Sequence, residues 1–235
     1  MSPKHLKYLF IGSVMLFASS CDEGKIYDDA PALPDQSGLT VHFTGHVEGI
    51  DQWASGYSVV LAGFGDDAFA IITKQVESTD DESSITMTNI SSEVKTVELC
   101  VINNLRRRIA SYASIDVSGT SEQDIDFNVG TVNAGMFNTI QEVIFDASCV
   151  QCHGGSTHAA AGLYLTPGES YDHLVNVPSS VIEGMYRVAP DNANESTLWQ
   201  AVGTGVSAEW SFNHSELLNS SSADLIRSWI NNGAK

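Results

Sequence analysis

Basic residues are scarce in this sequence: 11 Lys and Arg stand against 29 Asp and Glu, a formal net charge of −18. So acidic a chain repels phosphate backbones, which excludes nucleic acid as a partner. The charge favours solubility and, at most, salt-sensitive association with a basic docking face. Long apolar runs are also missing. The longest, Tyr8 to Phe17, is too short to span a bilayer as a mature helix. The sequence holds neither a glycine-flanked nucleophile elbow nor the two-histidine helix motif of metalloproteases, so it reads as a non-enzyme. Cysteine is the third scarcity, with four in 235 residues.

Two of those four fall in Cys149-Val150-Gln151-Cys152-His153. CxxCH is the attachment pattern of a c-type haem. Two thiols three positions apart each add to one vinyl group, and the adjoining histidine reaches the iron. The same residues admit two other readings, a CxxC redox pair and part of a zinc knuckle. No strand-then-helix pattern of a thioredoxin-like fold precedes the pair, and Cys100 alone does not supply the two further ligands zinc needs.

Residues 1–20 read as an export signal: Lys4 and Lys7 form a basic start, Tyr8 to Phe17 an apolar core and Ala18-Ser19-Ser20 a cleavage region. The next residue is Cys21, and the arrangement resembles the lipobox of bacterial lipoproteins, in which that cysteine is lipidated; ordinary signal cleavage is the alternative. Export agrees with haem attachment, which takes place outside the cytoplasm. The mature chain then has 9 basic against 29 acidic side chains. Residues 21–38 are polar, acidic and rich in breakers, as a tether from a lipid anchor would be. Cys100 remains without a disulfide partner, and its run Val97-Glu98-Leu99-Cys100-Val101-Ile102 marks it as a buried small hydrophobe.

From Leu39 the pattern changes to seven short β-rich runs, at 39–47, 57–64, 68–76, 84–90, 96–102, 108–117 and 124–129, separated by turn residues. Their number and rhythm predict an immunoglobulin-like sandwich over 39–130, without the Cys…Trp…Cys spacing of true immunoglobulin domains. Asn103-Asn104 suits a tight hairpin, because asparagine tolerates positive φ. Arg106-Arg107-Arg108 is the only basic cluster, read either as a solvated strand edge or as a docking spot for an acidic partner or lipid headgroup. After Gly130, Met136, Phe137, Ile140, Val143 and Ile144 share a helical face that runs into the CxxCH. Leu225, Ile226, Trp229 and Ile230 form a second face, with Asn219 or a nearby serine as its cap and Gly233 as its end. Trp229 is expected to pack between the two helices.

Residues 137–235 resemble the bacterial cytochrome c domains, including the planctomycete-type group found on exported lipoproteins. The resemblance is carried by Cys149-Val150-Gln151-Cys152-His153-Gly154, Gly162-Leu163-Tyr164-Leu165, Val188-Ala189-Pro190-Asp191-Asn192 with Ser196-Thr197-Leu198, and Ser228-Trp229-Ile230-Asn231-Asn232-Gly233-Ala234. It implies a small all-α cytochrome c domain over 131–235 that holds one covalent haem c, so that with the all-β immunoglobulin-like sandwich read from the strand pattern the chain is expected to have two domains. His153 is then the proximal iron ligand, with its other ring nitrogen meeting a backbone carbonyl. Leu163 and Leu165 would face the haem or else serve as ordinary core residues.

Members of that family usually supply a distal methionine from a Met-Pro dipeptide before the last helix. This sequence has no Met-Pro. The matching stretch, Trp210 to Ser215, offers His214; Met185 is the only methionine after the CxxCH; an open iron, or one held by His158 or His173, completes the choices. The expected function is single-electron transfer with redox partner proteins outside the cytoplasm, from a lipid anchor on the periplasmic or cell-surface side of a membrane. A binding lipoprotein acting through its sandwich, and a haem-based sensor with an open sixth position, are the competing classes.

Overall fold

The computed structural model describes residues 38–78, 81–155, 157–203 and 212–235. The signal segment, Cys21, the tether up to residue 37, Trp210 and Ser211 lie outside them. The β-rich runs fall on β1 Leu39–Glu48, β2 Tyr57–Phe64, β3 Ala70–Gln75, β4 Ser83–Ile90, β5 Thr96–Asn103, β6 Arg108–Asp116 and β7 Asp124–Asn133. Two sheets result, of order β4-β1-β7 and β3-β2-β5-β6. Along β1 buried and part-exposed residues alternate, so Val41, Phe43 and Val47 point inward. They meet Met87, Phe127, Val59, Leu61, Val97 and Leu99 from both sheets in one core, with the Phe43 and Phe127 rings edge to face at 5.8 Å.

β2 and β5 are buried on both faces, which is why they read as unbroken apolar runs rather than alternating ones. Their second face carries Val60, Ala62, Phe64, Cys100 and Ile102, with Ala70 of β3. Cys100 is fully buried there, and burial pushes its thiol up to about 12. Glu98 shares this face. Its Oε1 accepts from Thr96 Oγ1 at 3.0 Å and pairs with Arg108, whose guanidinium also lies 4.7 Å from the Phe64 ring centre. Arg108 is therefore a structural cation rather than a solvated one. Arg106 donates to the carbonyl of Ile71 at 3.0 Å and Arg107 reaches Ser221 Oγ at 3.5 Å. The hairpin at 103–107 works differently from expectation too. Asn103 Oδ1 accepts from the backbone N–H groups of Leu105 and Arg107, and the positive φ, 61°, falls on Arg106.

The expected fold class is overturned. The chain is mostly β-sheet, and the segment after β7 is not an all-α cytochrome c domain: its helices are few and short, and only the last reaches 12 residues. Residues 154–196 hold Gly154, Gly155, Gly162, Gly168 and Gly184 with Pro167, Pro178 and Pro190, a density of breakers that turns the chain through bridges and single helical turns. The sheets depart from the antiparallel immunoglobulin plan as well, because β7 lies parallel to β1. Gly130, which reads as a strand end, instead sits in a bulge at φ 63°; β7 gains one residue on β1 there and continues to Asn133.

The helical path runs α1 Met136–Ile140, a π-helical segment Gln141–Cys149 and α2 Val150–His153, then α3 Ser170–Leu174, α4 Thr197–Val202 and α5 Ser220–Asn231. α5 matches its sequence signals closely. Asn219 Oδ1 accepts from Ser222 N at 3.0 Å, and beyond Gly233 the N–H of Ala234 returns to Trp229 O at 3.0 Å. Trp229 is buried with its ring 5.0 Å from that of Phe137. This second core also takes Ala54, Trp53, Tyr57 and Ile109 from the strand region, and contacts join 37–235 into one unit. Polar ties reinforce the join: Trp53 Nε1 donates to Ala134 O at 2.6 Å, and Tyr112 Oη donates to Thr139 Oγ1 at 2.7 Å, whose own proton goes to Gly135 O. Among the described residues no helix is long and apolar enough to cross a membrane.

Removing Arg108 leaves the Glu98 carboxylate buried without its counter-charge. Arg108→Ala should lower stability by about 3 kcal/mol in urea unfolding, and Arg108→Met with Glu98→Leu should recover most of it. An unchanged midpoint for Arg108→Ala would show that Glu98 does not depend on the pair.

Candidate functional site

The path into the CxxCH is set by the winding of its helix. A regular helix would bury Val143, which is 39% exposed; the inward residues are Met136, Ile140, Gln141, Ile144 and Phe145. Steps of four and five suit the wider π turn, in which each N–H reaches back five residues. That phase turns Cys149 half-buried toward the core cluster and leaves Cys152 exposed. Both are free thiols. Burial first, and then the neighbouring Cys152, push the Cys149 thiol up to about 11. Redox-active CxxC pairs depend on a depressed thiol pKa, so the setting is opposite to theirs.

After His153 the chain reverses at once. Gly154 has no space for a side chain, since a Cβ there would come 2.2 Å from Val150 O. The short strand β8 His158–Ala159 bridges back onto His153 and Gly154. This brings Ala160 O to 3.0 Å from His153 Nδ1. A carbonyl can only accept, so Nδ1 carries the proton and Nε2 keeps its lone pair. The backbone carbonyl expected at the second nitrogen thus acquires a name. Burial lowers the His153 pKa, as do His214 and Arg187, against the opposing carbonyls of Ala160 and Leu163. The neutral ring is the form that ligates a metal.

His214 lies in a single 3₁₀ turn, His214–Glu216, started by Asn213, whose Oδ1 accepts from Ser215 N at 3.2 Å. Its ring is 6.2 Å from that of His153, with 30° between the planes, and Phe212 meets it edge to face at 5.2 Å. An imidazole nitrogen sits about 2 Å from a metal it ligates, so two imidazoles on opposite sides of one ion place their ring centres about 6 Å apart. The two rings here are neighbours at that distance in a near-parallel, stacked relation. Met185 is half-buried in the 179–185 turn, where its carbonyl accepts from Ser179 N at 2.8 Å. His158 is exposed beside Thr157 Oγ1 at 2.7 Å, and His173 packs on Tyr164 at 4.5 Å.

Leu165 is buried at 2% exposure in the core, while Leu163 is half-buried against the cluster that includes Cys149 and Val150. Leu165 N also donates to His153 O at 2.7 Å. Three residues that carry no sequence signal support this frame. Gln141, buried in the π segment, donates to Asp146 Oδ1 at 2.7 Å and Leu165 O at 2.9 Å. Ala160 supplies its carbonyl. Arg187 donates to the carbonyls of His173 at 2.9 Å and of Ala161 and Gly162 at 3.2 Å each.

Among the described residues no group of three or more His, Cys, Asp and Glu gathers in the manner of a zinc site. Two neighbouring free thiols, a histidine whose proton is fixed on Nδ1 and a second imidazole 6.2 Å away between ring centres are the donor groups that this part of the chain brings together. Comparison of the whole chain with protein-family models, with curated proteins and with solved structures gives no match.

The thiols should label in order of exposure and thiolate content. Iodoacetamide should modify Cys152 first, Cys149 slowly and faster as pH rises toward about 11, and Cys100 only on unfolding. Peptide mass spectrometry reads the order, and Cys149 reacting ahead of Cys152 would contradict the burial described.

Proposed function

We propose that this chain is an exported, lipid-anchored protein that carries one covalent haem on Cys149 and Cys152 and passes single electrons between redox proteins outside the cytoplasm. The observation that carries the reading is the pairing of His153 with His214 at 6.2 Å, on the histidine that completes the CxxCH. Attachment needs two thiols and a ligand on one stretch of helix, not a helical domain, so the reading does not depend on the cytochrome c fold that the chain lacks.

Each residue of the site has a distinct task. Cys149 and Cys152 would hold the haem through two thioethers, each S–H adding across a vinyl group with its proton going to the neighbouring carbon. His153 presents Nε2 while the Ala160 carbonyl keeps the proton on Nδ1. His214, whose ring lies near that of His153, would offer a second imidazole, and an imidazole in place of a methionine sulfur would lower the potential. Leu163 and Phe212 add apolar surface near the two histidines. Bound there, the haem supplies a one-electron ferric–ferrous couple. The acidic surface suits a partner with a basic face.

Expressed with c-type haem maturation enzymes, the mature chain should retain one haem on a denaturing gel, and Cys149→Ala with Cys152→Ala should retain none. His214→Ala should keep the covalent haem and turn a low-spin spectrum high-spin; an unchanged low-spin spectrum would remove His214 from the iron and favour Met185. Lipidation predicts that Cys21→Ser moves the protein from the membrane to the soluble fraction, with loss of acyl mass from its N-terminal peptide.

A further inference from the structure

The turn at 160–162 is strained. Ala161 has φ 54° and Gly162 φ 62°, so two successive residues are left-handed and one of them is not glycine. The same turn supplies the Ala160 carbonyl that fixes the proton on His153. A strained turn keeps its shape only when its surroundings over-determine it. Within the turn Leu163 N donates to Ala160 O at 3.1 Å, and from outside one side chain bonds the two carbonyls that follow. Arg187 sends one terminal nitrogen to both Ala161 O and Gly162 O at 3.2 Å, and the other to His173 O at 2.9 Å; Ser180 Oγ adds a bond to Ala161 O at 3.2 Å.

Arg187 is itself well anchored. Its backbone N–H donates to Val177 O at 2.7 Å, and its carbonyl accepts from Leu198 N at 3.0 Å at the start of α4. A planar guanidinium spans three carbonyls from one fixed position, which a lysine ammonium on a flexible stem does not reproduce.

We propose that Arg187 is a positioning residue: by clamping the 160–162 turn it holds the Ala160 carbonyl on His153 Nδ1, and so decides which nitrogen of His153 is left to face the iron. The consequence for iron rests on the haem reading; the consequence for the His153 ring does not. The charge of Arg187 is not the agent. Its fork is, and the two are separable by substitution.

The test uses the mature full-length chain with Arg187→Gln and Arg187→Lys. In the haem-free protein, ¹⁵N NMR of the His153 ring should show the Nδ1-protonated tautomer, and both variants should shift it toward the Nε2-protonated form that free imidazole side chains prefer. In the haem-loaded protein both variants should keep wild-type haem content while the EPR g values and reduction potential move. If Arg187→Lys retains the wild-type tautomer and g values, charge rather than the fork is responsible and the proposal is overturned. Should Arg187→Gln fail to fold, Arg187→Lys decides alone. A wild-type chain that accepts no covalent haem defeats the haem reading, yet the tautomer measurement still tells whether Arg187 sets the ring.

Discussion

A backbone carbonyl accepts and never donates, and the rest of the site depends on that asymmetry at Ala160. With the proton of His153 drawn to Nδ1, the ring offers a bare nitrogen in one direction only. Three features hold the arrangement: the tight reversal at Gly154, the pairing of β8 with His153, and the bond from Leu165 N to His153 O. Each is a backbone feature that brings the chain to the His153 ring, and the Arg187 fork on the carbonyls of Ala161 and Gly162 is the side-chain part of the same frame. His214 arrives from a separate short turn and brings its ring to 6.2 Å from that of His153.

The site is supported by the strand region rather than by a helical domain of its own. β7 passes almost directly into α1, Trp53 bonds to the connection and Tyr112 to Thr139 of α1, and Ala54 and Tyr57 enter the same core as Trp229 and Ile144. Isolated helices as short as α1, α2, α3 and α4 are marginal in water. They persist here because burial of residues such as Ile140, Leu174 and Val202 supplies what hydrogen bonding within one or two turns does not.

Strand positions, the last helix and the CxxCH were legible in the sequence because each rests on local chemistry. Alternation in β1, the asparagine cap at 219 and the two thiols with their histidine are neighbours along the chain. What was not legible depends on contacts distant in sequence. Gly130 carries the same letter whether it ends a strand or bulges within one, and only pairing with β1 decides. Val143 fits a regular helical face, yet the π winding buries Phe145 and Gln141 instead. The expectation of a small helical domain took two true helix signals, at Ile140 and Trp229, and supplied helix between them where glycine and proline had already ruled it out. Arg187 and Ala160 matter through main-chain carbonyls, which no residue letter announces. The spacing of His214 from His153 became a measurable quantity only once the chain between them had folded.

The parallel pairing of β1 with β7 is the long-range contact of the three-stranded sheet. Thr40 meets Asp124, so the contact closes a loop of more than eighty residues, at an entropic cost of about 4 kcal/mol before any ladder bond repays it. The second sheet, built from β2 with its antiparallel neighbours β3 and β5, closes much shorter loops and is free to form first. The three-stranded sheet cannot be completed until β7 is present, and the helix bearing Cys149 begins three residues after β7 ends. The half-buried setting of Cys149 therefore lies directly downstream, along the chain, of the strand whose pairing carries the largest loop-closure cost of this sheet.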